Sequence, residues 1–469
     1  MIDTTKPLVI LVTYYFPPGD EIGGQRPFRF YKYLRRMGYE CQVITASQPA
    51  DDASPFVTWV PDSLANVWDG TSTSKLSREG KIELLARRFF FPGHLGLAWS
   101  LKVARRCRSI LEAHRGRNAV VFTTYPPLGV LLAGLLIRWR SGIPWVCDFR
   151  DPMAFDTKVV RVSRWHVYCN RKLERLALRA ADFIIANTQS AAETLMEHYP
   201  WTGSKLRVIW NGFDPEERPQ ARPLPARRKR TTVHTGSLSF GRNPNRILES
   251  MSRLWQSGSE EARQTKMVLV GCIEMEKAGL NREVCEQGQS EGWLELIPPV
   301  ARPEAHRISE EADGLLLVQP HTKIQVPGKL FEYLCIGRPI LALVPRQSAV
   351  EYVLGQAGVP YICVYVDDEP DTVDRKMLEF LSLPQTPTRY SEWFETNFNA
   401  EQQTHQLAEI IEALAKGKGS LPSEALLDTE RSRPAEESSR LGLDQSMPGC
   451  LVRTQTGQNR FADGLLIDE

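Results

Sequence analysis

Lys329 and Glu332 stand three residues apart in Pro327-Gly328-Lys329-Leu330-Phe331-Glu332-Tyr333-Leu334, where a Pro-Gly pair opens a short amphipathic run. Residues at that spacing share one face of a helix. The first turn of a helix also presents unpaired N–H groups and the positive end of its dipole, which favour an anion. A lysine there neutralises a phosphate, and a glutamate accepts hydrogen bonds from ribose hydroxyls. A nucleoside diphosphate offers both groups at a matching separation. The same pair also reads as an ordinary surface ion pair at a helix start, so the local pattern leaves both readings open.

Three further clusters carry chemistry. Tyr14-Tyr15-Phe16-Pro17-Pro18-Gly19 is followed by Gly23-Gly24-Gln25-Arg26-Pro27. Adjacent glycines let a loop take positive φ and bring backbone N–H groups close to a ligand, or they simply make a turn. The pattern is not G-x-G-x-x-G, which argues against a dinucleotide cofactor. Asp148-Phe149-Arg150-Asp151-Pro152 sets two carboxylates around a guanidinium. Those carboxylates either orient sugar hydroxyls and serve acid–base chemistry or form an ion-pair cluster. In the second half, Thr235-Gly236-Ser237-Leu238 and Gly241-Arg242-Asn243-Pro244 combine glycine-lined backbone with one arginine, which suits a pyrophosphate or a plain turn. Arg302, in Arg302-Pro303-Glu304-Ala305, reads as the start of a helix in preference to a phosphate partner.

These clusters need elements to hold them. Strand-like runs fall at Leu8–Phe16, Cys41–Ala46, Val120–Tyr125, Trp145–Phe149, Phe183–Asn187 and Val208–Trp210 in the first half. In the second they fall at Thr231–Gly236, Met267–Gly271, Leu294–Ile297, Gly314–Val318, Pro339–Val344 and Tyr361–Val366. Helical patterns alternate with them, so the fold class is α/β with parallel sheets. Ligands of such sheets lie beyond the carboxyl ends of the strands, which is where all four clusters sit. A Pro-rich, charged stretch from Asp214 to Arg230 reads as a linker.

At 469 residues the chain exceeds what one core usually supports. A net charge of +2, from 58 Lys and Arg against 56 Asp and Glu, argues against dedicated nucleic-acid binding. Nine Cys with no C-x-x-C pair read as reduced core residues of a cytoplasmic protein. The first residues, Met1-Ile2-Asp3-Thr4-Thr5-Lys6-Pro7, lack the layout of a signal peptide. No apolar run approaches the length needed to span a bilayer.

Taken together, Tyr15-Phe16-Pro17-Pro18 with Gly23-Gly24, Asp148 to Pro152, Ala181-Asp182-Phe183-Ile184-Ile185-Ala186-Asn187-Thr188, Val208-Ile209-Trp210-Asn211-Gly212-Phe213-Asp214, Thr235-Gly236-Ser237 and the Lys329–Glu332 stretch resemble family-4 glycosyltransferases. The branch resembled is the one with a Pro-x-Lys-x-x-Glu-Tyr donor motif. The resemblance covers residues 8 to 415 and rests on the order and spacing of the motifs. It implies a GT-B fold, two Rossmann-like domains whose parallel sheets face a central cleft. It also implies metal-independent, retaining transfer from a nucleotide-diphosphate sugar, with that donor as co-substrate and no cofactor. The domains would be 1–213 for the acceptor, 214–230 as linker, 231–388 for the nucleotide sugar, and 389–416 as a helix crossing back.

Carried onto this chain, Glu332 would bind the ribose. Gly236, Arg242 and Lys329 would face the diphosphate, and Gly23 and Gly24 would close over it from the other domain. Asp148 and Asp151 occupy the region where many relatives place a histidine against the donor sugar, with Asp151 the preferred candidate. Many members also carry an acid eight residues before the ribose glutamate, where this chain has Ile324. Sugar contacts would then fall to backbone N–H groups and Gln325. No Asp-x-Asp triplet occurs in the chain, so the departing diphosphate would be met by Arg242 and Lys329 instead of a metal.

The acceptor would be a glycan or a lipid-linked sugar of a surface polysaccharide. Arg87-Arg88-Phe89-Phe90-Phe91-Pro92 and the basic run Lys102 to Arg108 read either as a peripheral contact with an anionic inner-membrane surface or as a solvated basic helix face. Residues 417–469 read as a disordered tail. Two other functions stay open, a nucleotide-sugar epimerase of the same architecture and a non-catalytic partner subunit with a degenerate site.

Overall fold

The computed structural model describes residues 2–18, 22–48, 54–62, 78–92, 96–151, 153, 163–224, 229–239 and 241–417. The tail reading and the central part of the loop after Asp151 therefore lie outside the described residues. Seven strands make the first sheet: β1 Leu8–Val12, β2 Cys41–Thr45, β3 Val57–Trp59, β4 Ala119–Tyr125, β5 Trp145–Phe149, β6 Phe183–Ala186 and β7 Leu206–Val208. Six make the second: β8 Arg230–Thr235, β9 Thr265–Val270, β10 Leu294–Ile297, β11 Gly314–Val318, β12 Ile340–Val344 and β13 Tyr361–Tyr365.

Every pairing is parallel, in the orders β3-β2-β1-β4-β5-β6-β7 and β10-β9-β8-β11-β12-β13. Parallel strands with helices on both faces must be apolar throughout, and β1, β4, β11 and β12 are buried at every position. In the first lobe Leu8, Ile10 and Val12 pack with Trp99, Val103 and Leu131 on one side. Val9 and Leu11 pack with Phe30, Leu34 and Ile410 on the other. The second lobe repeats the plan, with Leu315 and Leu317 against Leu330 and Leu334, and Leu316 and Val318 against Leu248 and Met251. Each strand order reverses at one place, between β1 and β4 and between β8 and β11, and open parallel sheets bind ligands at such points. The fold is GT-B.

The expected runs fall within or beside these strands, with three differences. β3 is not among them, because its three residues form an edge that is nowhere buried and so has no apolar signature. β1 stops at Val12 because the chain then turns, with Thr13 Oγ1 donating to Tyr15 O at 2.8 Å and Phe16 N to Ser47 Oγ at 3.0 Å. β7 is Leu206–Val208, ending before Trp210.

Two chain crossings join the lobes side by side. Phe213 N donates to Phe398 O at 2.9 Å, and Ala400 N donates to Phe213 O at 3.0 Å. A methyl group on Gly212 would lie 2.0 Å from Phe398 O, so only glycine permits this approach. Beyond the second crossing the helix Ala400–Ala415 returns to the first lobe and buries Leu407, Ile410, Ile411 and Leu414 against its sheet. No helix of the described residues is long and apolar enough to cross a membrane.

Candidate functional site

The helix Gly328–Ile336 follows β11 and carries the Lys-x-x-Glu pair in its first turns. Leu330, Phe331 and Leu334 are buried beneath it, and that apolar face fixes which way Lys329 and Glu332 point. Tyr333 adds a polar tie, because its hydroxyl accepts from Thr235 N at 3.0 Å and lies 3.2 Å from Thr235 Oγ1. The helix is thereby locked to the carboxyl end of β8.

Lys329 Nζ donates to Thr235 O at 2.6 Å and lies 3.4 Å from His234 Nε2. His234 is buried, and its Nδ1 is 2.9 Å from Leu316 O. Burial and the nearby Lys329 hold the imidazole well below its usual pKa. The neutral ring then donates from Nδ1 and accepts at Nε2. Two of the three ammonium protons are thus used, and the third is available to a ligand.

Burial, reinforced by the Arg242 guanidinium and opposed by Glu332, brings the Lys329 pKa down to about 7. Arg242 has its own pKa lowered by burial, and it makes no side-chain hydrogen bond or ion pair with a described residue. Gly236 completes this corner at a φ of 127°. A methyl group there would sit 2.3 Å from Lys329 Nζ, so the backbone calls for glycine and any side chain would push the Lys329 ammonium aside. Gly236, Arg242 and Lys329 are therefore gathered in one place.

Glu332 lies on the same helix face, with its side chain a quarter exposed. Arg302 Nη2 donates to its Oε1 at 3.1 Å, and His306 Nε2 is 3.3 Å from the same oxygen. The imidazole is placed for attraction but not aligned as a hydrogen bond. Burial pushes the carboxyl up, yet His306, Arg302 and Arg29 outweigh it and hold the pKa below its usual value. Oε2 accepts from no described residue. Arg302 does start a helix, as expected, but its side chain also reaches across thirty residues of sequence to the candidate ribose carboxylate. Neither it nor His306 was legible as a partner of Glu332, because only the tertiary fold places the two helices side by side.

In the first lobe the expected sites divide. Gly23 and Gly24 do not form a loop, because they occupy the first turn of the helix Ile22–Arg36, and neither takes positive φ. Their role is close approach. A methyl group on Gly24 would lie 3.2 Å from Phe16 N, and one on Gly23 would lie 2.8 Å from the Tyr15 ring. Arg150 Nη1 donates to Gly23 O at 3.3 Å and its Nε to Tyr125 O at 3.2 Å, pinning this turn at the strand ends.

Asp148 does not suit catalysis. It is fully buried, and Arg26 grips both its oxygens at 2.9 Å while Thr124 Oγ1 donates at 2.8 Å. Arg26 also donates to Ile209 O at 2.8 Å. The carboxylate is spent on joining this helix, β5 and the segment after β7.

Asp151 is different. Gln325 Nε2, from the second lobe, donates to its Oδ1 at 2.5 Å. One residue earlier Thr188 Oγ1 donates to Ile324 O at 2.6 Å while capping the helix Gln189–His198. The carboxyl ends of the two sheets therefore face each other, and the segment before Lys329 is braced on the first lobe. Gln325 was expected as a sugar contact; its amide instead spans the gap.

Residues 27–217 match the sequence family described as Glycosyltransferase Family 4. No curated protein sequence matches the chain. Among solved structures, a glycosyltransferase from Rickettsia africae superposes with a TM-score of 0.55 at 12% identity, covering 88% of this chain and 99% of that one. The Anabaena protein HepE, solved with UDP and glucose, gives 0.53 at 13% identity over 86% of this chain and 99% of its own. A putative UDP-N-acetylglucosamine 2-epimerase from Listeria monocytogenes gives 0.51 at 12% identity, covering 88% and 99%.

Proposed function

We propose that this chain is a family-4 glycosyltransferase that moves a sugar from a nucleoside diphosphate to a glycan or lipid-linked acceptor in surface polysaccharide synthesis. The observation carrying this reading is the corner at β8, where Lys329, Arg242 and the glycine backbone at 236 gather positive charge, and among the described residues no carboxylate is hydrogen-bonded or ion-paired to either cation. A diphosphate supplies that missing charge, and the free oxygen of Glu332 on the same helix face supports a ribose beside it. HepE, of the same fold, was solved with UDP.

In the proposed reaction the bond from the anomeric carbon to the diphosphate oxygen breaks, and the electron pair leaves with the diphosphate. Lys329 and Arg242 stabilise that developing charge, so no metal is required. The acceptor oxygen forms the new bond on the same face, and its proton passes to the departing phosphate oxygen, giving retention. Asp151, which accepts from Gln325 of the second lobe, would orient the acceptor or the sugar. An acceptor carried on lipid would place the protein at the inner membrane surface.

Titration with nucleoside diphosphates and a panel of sugar nucleotides tests the site. Product anomeric configuration by NMR, with and without chelator, tests the route. Binding of a sugar nucleotide with transfer that survives chelation is expected. Loss of transfer on chelation with recovery on adding a divalent ion would overturn the metal-free route. The structural likeness to an epimerase favours one control. Donor incubated alone stays unchanged under this reading, and an isomerised sugar would replace transferase with epimerase.

A further inference from the structure

Two helices of the first lobe leave apolar residues in water. On Arg78–Phe89, Ile82, Leu85 and Phe89 follow at helical spacing and are 59%, 56% and 53% exposed. On Arg164–Ala180, Trp165 and Tyr168 are 53% and 51% exposed. The two stripes meet. The rings of Phe90 and Trp165 are 6.2 Å apart, Trp165 and Tyr168 stack at 5.7 Å, and His166 Nε2 lies 3.2 Å from Arg88 O. Single exposed hydrophobes are ordinary, but a joined aromatic shelf marks a contact surface.

Charge is sorted on the same helices. Arg164, Arg171, Lys172, Arg175 and Arg179 are all exposed. The acids whose side chains are described are both turned inward. Glu83 is buried and accepts from Leu97 N and Ala98 N, and Glu174 is buried and accepts from Met153 N. Beside the shelf, Tyr168, Arg171, Lys172, Arg175, His198 and Tyr199 line a cavity of about 270 Å³, and Lys172 also sits 5.4 Å over the Tyr168 ring. The helix Trp99–Ala113 offers a contrast: apart from the exposed Leu101, its apolar positions pack into or against the core, and its exposed Arg108 pairs with Glu112. The basic run there is a solvated face, and the run itself is not the shelf.

A second copy of this chain is a poor occupant, because matching shelves would bring two such cationic sets together. An anionic bilayer suits both features: aromatic rings settle at the headgroup level and clustered Lys and Arg collect acidic lipids. We propose that the face built from Arg78–Phe89 and Arg164–Ala180 docks this lobe on an anionic membrane surface. Phe89, Phe90, Trp165 and Tyr168 lie in the interfacial layer, and Arg171, Lys172 and Arg175 gather headgroups in the cavity. The purpose of docking rests on the proposed lipid-linked acceptor. The docking itself does not depend on the donor site.

Flotation of the full-length protein with phosphatidylcholine vesicles, with and without one-third phosphatidylglycerol, tests this. Binding to the anionic vesicles that weakens with salt is expected. The charge reversal Arg171→Glu/Lys172→Glu should lower it by more than about tenfold, and Trp165→Ser/Tyr168→Ser should lower it on the same vesicles. Nucleoside diphosphate affinity, measured on the same preparations, should be unchanged and confirms that the variants fold. Wild-type protein that ignores the acidic lipid, or variants that float equally well, would overturn the docking face. A reversible dimer in sedimentation velocity that the Trp165→Ser/Tyr168→Ser variant abolishes would also overturn it. Vesicle binding without nucleotide binding would leave this face standing and remove the donor site.

Discussion

Asp148 and Lys329 both lie at the carboxyl end of a parallel sheet, beside the point where strand order reverses, and both are charges withdrawn from water. Their surroundings differ in kind. Asp148 is closed off by a two-pronged arginine and a threonine hydroxyl. Lys329 is offered a carbonyl, a neutral imidazole and a second cation. The first arrangement is complete without a ligand. The second carries a positive charge that Glu332 offsets only in part, and a bound anion would relieve it. Withdrawal from water is common to both, so burial by itself does not mark a site; what matters is whether the protein supplies the counter-charge.

Substitution can break this contrast, and the largest effect should come from the closed pair. Arg26→Ala leaves Asp148 buried and alone, and should cost about 3–5 kcal/mol in urea unfolding. The double variant Arg26→Met/Asp148→Leu should recover part of that loss. A single variant as stable as the parent would show that the pair is not what holds these elements together.

Lys329→Ala comes next. It should weaken nucleoside diphosphate binding by about 1.5–3 kcal/mol in calorimetric titration, without loss of thermal stability. Lys329→Met should raise the melting temperature of the unliganded protein, since it removes a disfavoured charge. The sign follows from the depressed pKa. Between about 7 and the ordinary lysine value the unfolded chain holds a proton that the folded one has released. Stability from this group therefore rises with pH across that window, and falls to its full penalty below it.

The same residue predicts a smaller, graded effect. An anion restores the proton to Lys329, so binding takes up a proton near neutral pH. Affinity should fall as pH rises above about 7, approaching tenfold per unit at most. Lys329→Ala should flatten that slope. Equal slopes in both proteins would place the titrating group elsewhere. Smallest of all, Gln325→Ala removes one bond across the gap and should alter nucleotide affinity by about 1 kcal/mol or less. Its larger expression should be in turnover, read as a fall in kcat at steady KM.

Much of the architecture was legible because parallel strands buried on both faces must be continuous apolar runs, and twelve such runs stand out. β3 escaped because an exposed three-residue edge needs no such run. That Lys329, Glu332, Gly236 and Arg242 lie at strand ends was legible from local pattern; their part in donor binding stays a proposal. The fate of Asp148 was not, because nothing near it in sequence announces that Arg26 lies against it. The Gly23-Gly24 pair misled for a related reason. Glycine signals either unusual φ or unusual closeness, and only the packed neighbour tells the two apart. Arg302 and Gln325 act through partners thirty or more residues away, a distance at which spacing carries no information.

The return of the helix Ala400–Ala415 to the first lobe bears on how the chain is made. Val9, Phe30 and Leu34 have their cover supplied by Leu407, Ile410 and Ile411, which leave the ribosome almost four hundred residues after Val9. One flank of the opening sheet must wait uncovered while the whole second lobe is synthesised. A fragment ending near residue 213 should therefore need chaperones or precipitate, and adding the last helix as a separate peptide should rescue its solubility.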